Sequence, residues 1–146
     1  MLYSIGYERI TVSQLIAILK EYNIEYLIDV RSKPFSSKPG FGKIELRKEV
    51  NHNEIEYHWL GETLGGFGEI ADDALVGLVN MSKRHVVCIM CMEHYPKSCH
   101  RYTEIGARLD WDPFNVEVIH LLPVLDTDGN YIKCNQQLTG SQSKLF

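Results

Sequence analysis

Long hydrophobic runs are missing from this chain. No apolar stretch approaches the roughly 18 residues that cross a bilayer as a helix, which argues against a helical membrane protein. Excess positive charge is missing too: the formal net charge is −4. Nonspecific nucleic-acid binding is therefore not expected from bulk charge, although a local basic patch can still serve. No repeat or low-complexity segment occurs. The opening M-L-Y-S-I-G-Y lacks the charged and apolar regions of a signal peptide, so a cytoplasmic address is expected. Thiols stay reduced there. The four cysteines, Cys88, Cys91, Cys99 and Cys134, are then expected to be free, metal-bound or catalytic rather than disulfide-bonded. The final S-K-L-F displaces a peroxisomal ending by one residue and carries no address. A length of 146 residues suits one domain with a core of its own.

What is present alternates between strand and helix signals. Residues 2–5 form a short apolar strand ending at Gly6. Residues 12–22 place Val12, Leu15, Ile16, Ile18, Leu19 and Tyr22 at helical spacing. Thr11 and Gln14 form a capping box, Ile10 and Leu15 a staple, and Asn23 suits the left-handed position after the last turn. Residues 25–30 form the second strand. The Pro34 and Pro39 loop follows, then a short helix over 44–50 and a strand over 54–60. A glycine loop with Gly61, Gly65, Gly66 and Gly68 leads to a helix over 70–81. Residues 86–91 form the fourth strand, 96–109 the fourth helix and 116–122 the fifth strand. Residues 126–146 suit a hairpin, a lid or a frayed tail. The pattern predicts an α/β fold: one three-layer domain around a mostly parallel sheet of about five strands.

In open parallel sheets ligands bind outside the carboxyl ends of the strands, and the polar and glycine-rich residues collect there. Gly6 and Tyr7 follow the first strand. Arg31, Pro34 and Ser36 follow the second, Gly65 and Gly66 the third, and Cys91 and Glu93 the fourth. Cys99, His100 and Arg101 come next, after Pro96 at an expected first helical position. The free N–H groups of Lys97 and Ser98 and the helix dipole would welcome an anion. Arg101 would add a bidentate clamp, and the same positive end would favour a Cys91 thiolate. Glu93 is the candidate general acid or base, or a partner for Arg31. Each residue also has a plain role: Cys88 and Cys99 as packing, His120 as a satisfied core histidine, and His52, His58, His85 and His94 as surface residues. No cofactor is predicted. Cys88 and Cys91, three apart on a strand, face opposite sides, but a zinc site from Cys91, Cys99 and His100 stays open. A Cys91–Cys99 redox pair stays open as well.

These segments resemble a known family. Y-S-I-G-Y, L-I-D-V-R-S-K-P-F-S with Phe41 beyond, Leu64-Gly65-Gly66 and C-M-E-H-Y-P-K-S-C-H-R are similar to the motifs of the bacterial and archaeal family of domain of unknown function 488. The likeness spans residues 3 to 122. Where that family often has His and Ser after Ile-Gly, this chain has Tyr7 and Glu8. The resemblance implies an α/β fold with a site at these motifs and no established reaction. The D-V-R-S segment is also similar to rhodanese-like sulfurtransferases, but Pro96 and Lys97 stand where a catalytic loop would close on Arg. Taken together, an enzyme is expected with Cys91, Glu93 and His100 as catalytic groups. Gly6, Tyr7, Arg31, Pro34, Ser36, Gly65, Gly66, Cys99 and Arg101 would hold a phosphate- or carboxylate-bearing ligand. Tyr7, Phe41, Tyr57 and Trp59 could stack on a nucleotide base. The alternatives are a non-catalytic module for an anion or single-stranded nucleic acid, and a thiol redox or zinc protein. No membrane partner is expected.

Overall fold

A computed structural model describes residues 1–66 and 70–139. Gly68 and residues 140–146 of the tail lie outside the described residues. One six-stranded sheet runs in the order β3-β2-β4-β1-β5-β6. Its strands are β1 (Leu2–Gly6), β2 (Tyr26–Asp29), β3 (Glu56–Trp59), β4 (Val87–Cys91), β5 (Ile119–Leu125) and β6 (Tyr131–Leu138). The first five pair in parallel, as alternating strands and helices require. The sixth comes from the polar C-terminal stretch. It folds back antiparallel on β5 through a turn at Asp126–Asn130, closing the hairpin that was one of the expected forms for that stretch.

Helices cover both faces, giving three layers. On one face α1 (Val12–Glu21) and α2 (Lys43–His52) pack Leu15, Ile18, Leu19, Leu46 and Val50 against Tyr3, Ile5, Leu27, Cys88 and Met90. On the other, α3 (Gly61–Leu64), α4 (Asp72–Arg84) and α5 (Ala107–Leu109) pack Leu64, Leu75, Leu78 and Leu109 against Ile28, Val30, Ile89 and Cys91. Successive β4 side chains thus alternate between two cores. Cys88 is fully buried in the first and Cys91 faces the second. No helix among the described residues is long and apolar enough to cross a membrane.

The best-marked element is α1. Thr11 Oγ1 accepts from the Gln14 N–H at 3.1 Å, and Gln14 Oε1 accepts from the Thr11 N–H at 3.0 Å, which satisfies two end donors reciprocally. At the far end Asn23 takes φ 56°. The Ile24 N–H bonds the Leu19 carbonyl and the Asn23 N–H that of Lys20, the Schellman pattern.

The segment after β4 departs from the continuous helix expected over 96–109. Pro96–Ser98 is a single 3-10 turn, and Cys99 is extended at φ −134°, ψ 146°. A π-helical turn over Arg101–Gly106 follows and runs into α5. The Ser98 N–H bonds the Tyr95 carbonyl, so the expected free donor there is already engaged. Of the two expected donors, Ser98 is thus taken up in closing the turn.

Candidate functional site

From β1 the chain steps through β2 to the β3 edge, then turns back through β4 to β5 on the far side of β1. The strands on either side of β4, β1 and β2, send their following helices, α1 and α2, to one face. The segment following β4 goes to the other. Neighbouring connections that part in this way leave a crevice at the strands' carboxyl ends. A cavity of about 320 Å³ opens there, lined by Tyr7 after β1, Arg31 after β2, Gly66 after α3, Cys91 and Glu93 at β4, and Cys99 and His100 beyond. The crevice thus brings together residues from separate βα junctions, among them Arg31 and Glu93. Ser32, Lys33, Phe35, Met92 and Ser98, outside the set of expected catalytic and ligand-binding side chains, also line it.

Sulfur and nitrogen converge at one end. Cys91 Sγ, Cys99 Sγ and His100 Nδ1 lie within 4.8 Å of one another. His100 Nδ1 is 3.8 Å from the first sulfur and 3.7 Å from the second. The Cys91 sulfur also lies 3.4 Å from Glu93 Oε2. Extended backbone at Cys99 permits this. On a continuous helix residues 99 and 100 would point about 100° apart, whereas here both reach Cys91. The pair shares its protons unequally. A hydrogen bond from Cys91 drives Cys99 down toward the thiolate against its burial, helped by His100 and the Arg101 charge. Cys91 is correspondingly pushed up by that same bond, by burial and by Glu93. Burial works to lower His100, but Cys99 and the Val30 and Leu64 carbonyls raise it.

The two arginines are held from within. Arg31, 5% exposed, grips Asp29 through Nε at 2.9 Å and Nη2 at 2.7 Å. Its Nη1 donates to the Phe41 carbonyl at 2.7 Å and to the Tyr7 hydroxyl at 3.1 Å. The Tyr57 hydroxyl also donates to Asp29. Burial, and then the Asp29 charge, push the Tyr57 phenol well above its ordinary range. Four of the five N–H donors of a guanidinium are engaged, leaving at most one on Nη2 for a ligand. Asp29, not Glu93, is therefore Arg31's partner. Residues two apart at a strand end share a face, which was the available signal for that pair.

Arg101 is fully buried rather than clamping an anion. It donates to the Glu93 carbonyl at 2.7 Å, the His94 carbonyl at 3.2 Å and Ser4 Oγ at 3.1 Å. Ser4 in turn meets His120 Nδ1, and His120 Nε2 reaches Thr139 Oγ1 at 3.0 Å. Arg101 thus positions the loop that carries Glu93. His94, expected at the surface, is 5% exposed beneath that loop. His120 is a satisfied core histidine.

The remaining expected site residues are placed as follows. The Gly6 backbone presses on the Glu93 carbonyl, Gly65 on Ser32, and Gly66 on the His100 ring, where an added Cβ would sit 3.1 Å from Nδ1. Pro34 and Ser36 do not line the cavity. The Pro34 carbonyl accepts the Lys43 N–H at 3.0 Å and Ser36 Oγ the Lys38 N–H at 3.1 Å, shaping the loop. Tyr7 stacks on Phe41, 4.3 Å between centroids, inside the core, and Tyr57 is buried. Trp59 Nε1 donates to the Arg31 carbonyl at 2.7 Å. Three of the four expected stacking aromatics are thus core residues.

No curated protein and no solved structure matches the chain. A family match is found over residues 11–76, covering the loop after β2 and ending before Cys91. Over that stretch the chain resembles the family described as Domain of unknown function DUF488.

Proposed function

We propose that the chain is an enzyme acting on a small phosphate- or carboxylate-bearing molecule in the crevice cavity, with Glu93 as general acid or base. The supporting observation is the convergence of Glu93, Cys91, Cys99 and His100 on one cavity backed by Arg31. A volume of about 320 Å³ falls at the small end of ligand sites. Glu93 is half-buried, touches the Cys91 thiol and hangs on a loop that Arg101 holds by two carbonyls. A carboxylate so fixed beside a bound molecule can take and return a proton. Arg31 offers one remaining donor to an anionic group. Because Tyr7, Phe41 and Tyr57 lie in the core, a base-stacking platform has little support. Among the described residues, the exposed Phe35 is an aromatic that lines the cavity and could serve that purpose.

The test uses the reduced chain with p-nitrophenyl phosphate and p-nitrophenyl acetate for turnover. Inorganic phosphate, acetate and adenosine monophosphate serve for calorimetric binding. The expected result is binding of an anionic probe and turnover that falls about 10²–10⁴-fold in Glu93→Gln. Absence of binding, or turnover indifferent to Glu93→Gln, contradicts the proposal. Salt-dependent binding without turnover would assign a non-catalytic module instead.

A further inference from the structure

Resting on the crevice as the working site, we infer that Cys91, Cys99 and His100 hold a soft divalent ion such as zinc, with an open coordination position toward the cavity beside Glu93. Zinc takes thiolate and imidazole at about 2.3 and 2.0–2.1 Å in a tetrahedron, whose sulfur–nitrogen edges are then about 3.6 Å long. The observed separations, 3.8 and 3.7 Å, match those edges with little movement. His100 is also oriented as a ligand. Its Nε2 lies 3.1 Å from the Val30 carbonyl, which can only accept. A proton therefore sits on Nε2, so that Nδ1, once it gives up its own proton to an incoming ion, turns its lone pair toward the sulfurs. Imidazoles that bind metal characteristically donate their other N–H in this way.

Two features separate this cluster from a closed structural site. Among the described residues it has three ligands rather than four, with Cys88 facing the opposite core, and it lines a cavity. Three protein ligands with an open position are the catalytic pattern. The ion also supplies what the arginines do not. Arg31 is neutralised by Asp29 and Arg101 is buried among carbonyls, so a phosphate or carboxylate would gain its strongest hold from a metal. A Cβ added at Gly66 would lie 3.1 Å from His100 Nδ1 and 3.2 Å from Cγ, so the ring would have to shift slightly to admit it.

Cobalt(II) is titrated into the reduced, chelator-treated chain, and zinc affinity is read by competition with a chromophoric chelator. The expected result is one equivalent per chain, with thiolate-to-cobalt charge transfer and tetrahedral d–d bands, displaced by zinc. Cys99→Ser and His100→Gln each weaken zinc at least about tenfold, while Cys134→Ser leaves it unchanged. No binding, a spectrum without the thiolate band, or equal loss in Cys134→Ser overturns the inference. Calorimetry with inorganic phosphate on zinc-loaded and stripped chains separates the two readings. Glu93-dependent phosphate binding in a chain that takes no zinc removes the metal and keeps the ligand site. Zinc binding in a chain that ignores phosphate, acetate and adenosine monophosphate does the reverse.

Discussion

Arg31 and Asp29 form an ion pair at the end of β2. Both are buried, and their paired geometry is completed by Tyr57 and the Phe41 carbonyl. Removing one partner leaves a charge without compensation. Asp29→Asn is therefore expected to lower stability by about 3–5 kcal/mol, and Tyr57→Phe by about 1–3 kcal/mol, both read from urea midpoints. His120 gives a pH signature. Burial, then the Arg101 charge, lower it from 6.5 to about 3. Its partners fit only the neutral ring: Thr139 Oγ1, which itself donates to the Val118 carbonyl at 3.3 Å, accepts from Nε2. That leaves Nδ1 to accept from Ser4. Unfolded, the ring gains a proton below about 6.5, which the folded chain refuses until about 3. Stability from this residue is intact above pH 6.5 and falls as pH drops through that window, by at most about 1.4 kcal/mol per pH unit. Denaturation of the parent and His120→Gln at several pH values should diverge in slope there. Parallel slopes would contradict the assignment.

Among the elements, α1 was legible because local chemistry decides it. Thr11, Gln14, Asn23 and Ile24 each do at the helix ends what their side chains or backbone favour alone. Thr11→Ala is expected to cost about 1 kcal/mol, seen as a lowered thermal midpoint with the same final fold. The segment 96–109 was not legible as built. Its apolar spacing suits a helix, but Cys99 is extended and its sulfur meets that of Cys91, a long-range contact that no local pattern records. The burial of His94 under Glu8 and Arg101 has the same origin. The strand β6 is polar and half-exposed, with burial from intermediate to exposed along its length. Alternation was too weak to mark it, and pairing with β5 supplies what its side chains do not. At the α3 end, Gly66→Ala has an affordable backbone but crowds His100 Nδ1. It should weaken zinc affinity in the chelator assay while shifting stability by less than about 0.5 kcal/mol.

Across the whole molecule, the site follows from strand order more than from any one motif. Inserting β4 between β1 and β2 makes neighbouring connections part to opposite faces. Four junctions distant in sequence then share one rim. That gathering was foreseeable from where the polar residues fall, after strands rather than after helices. Which of them would face the cavity was not, because Asp29, Ser4 and the loop carbonyls draw both arginines inward. The central claim is that Cys91 and Cys99 stand side by side in this crevice, with Cys88 and Cys134 elsewhere. The direct measurement is mild oxidation of the reduced chain with a diazene-dicarboxamide, followed by peptide mapping. Two thiols lose two hydrogens, which pass to the diazene as it becomes the hydrazine. The expected product is a Cys91–Cys99 disulfide, with Cys88 and Cys134 recovered as thiols. A Cys88–Cys91 bridge, scrambled pairing, or no intramolecular disulfide would contradict the account.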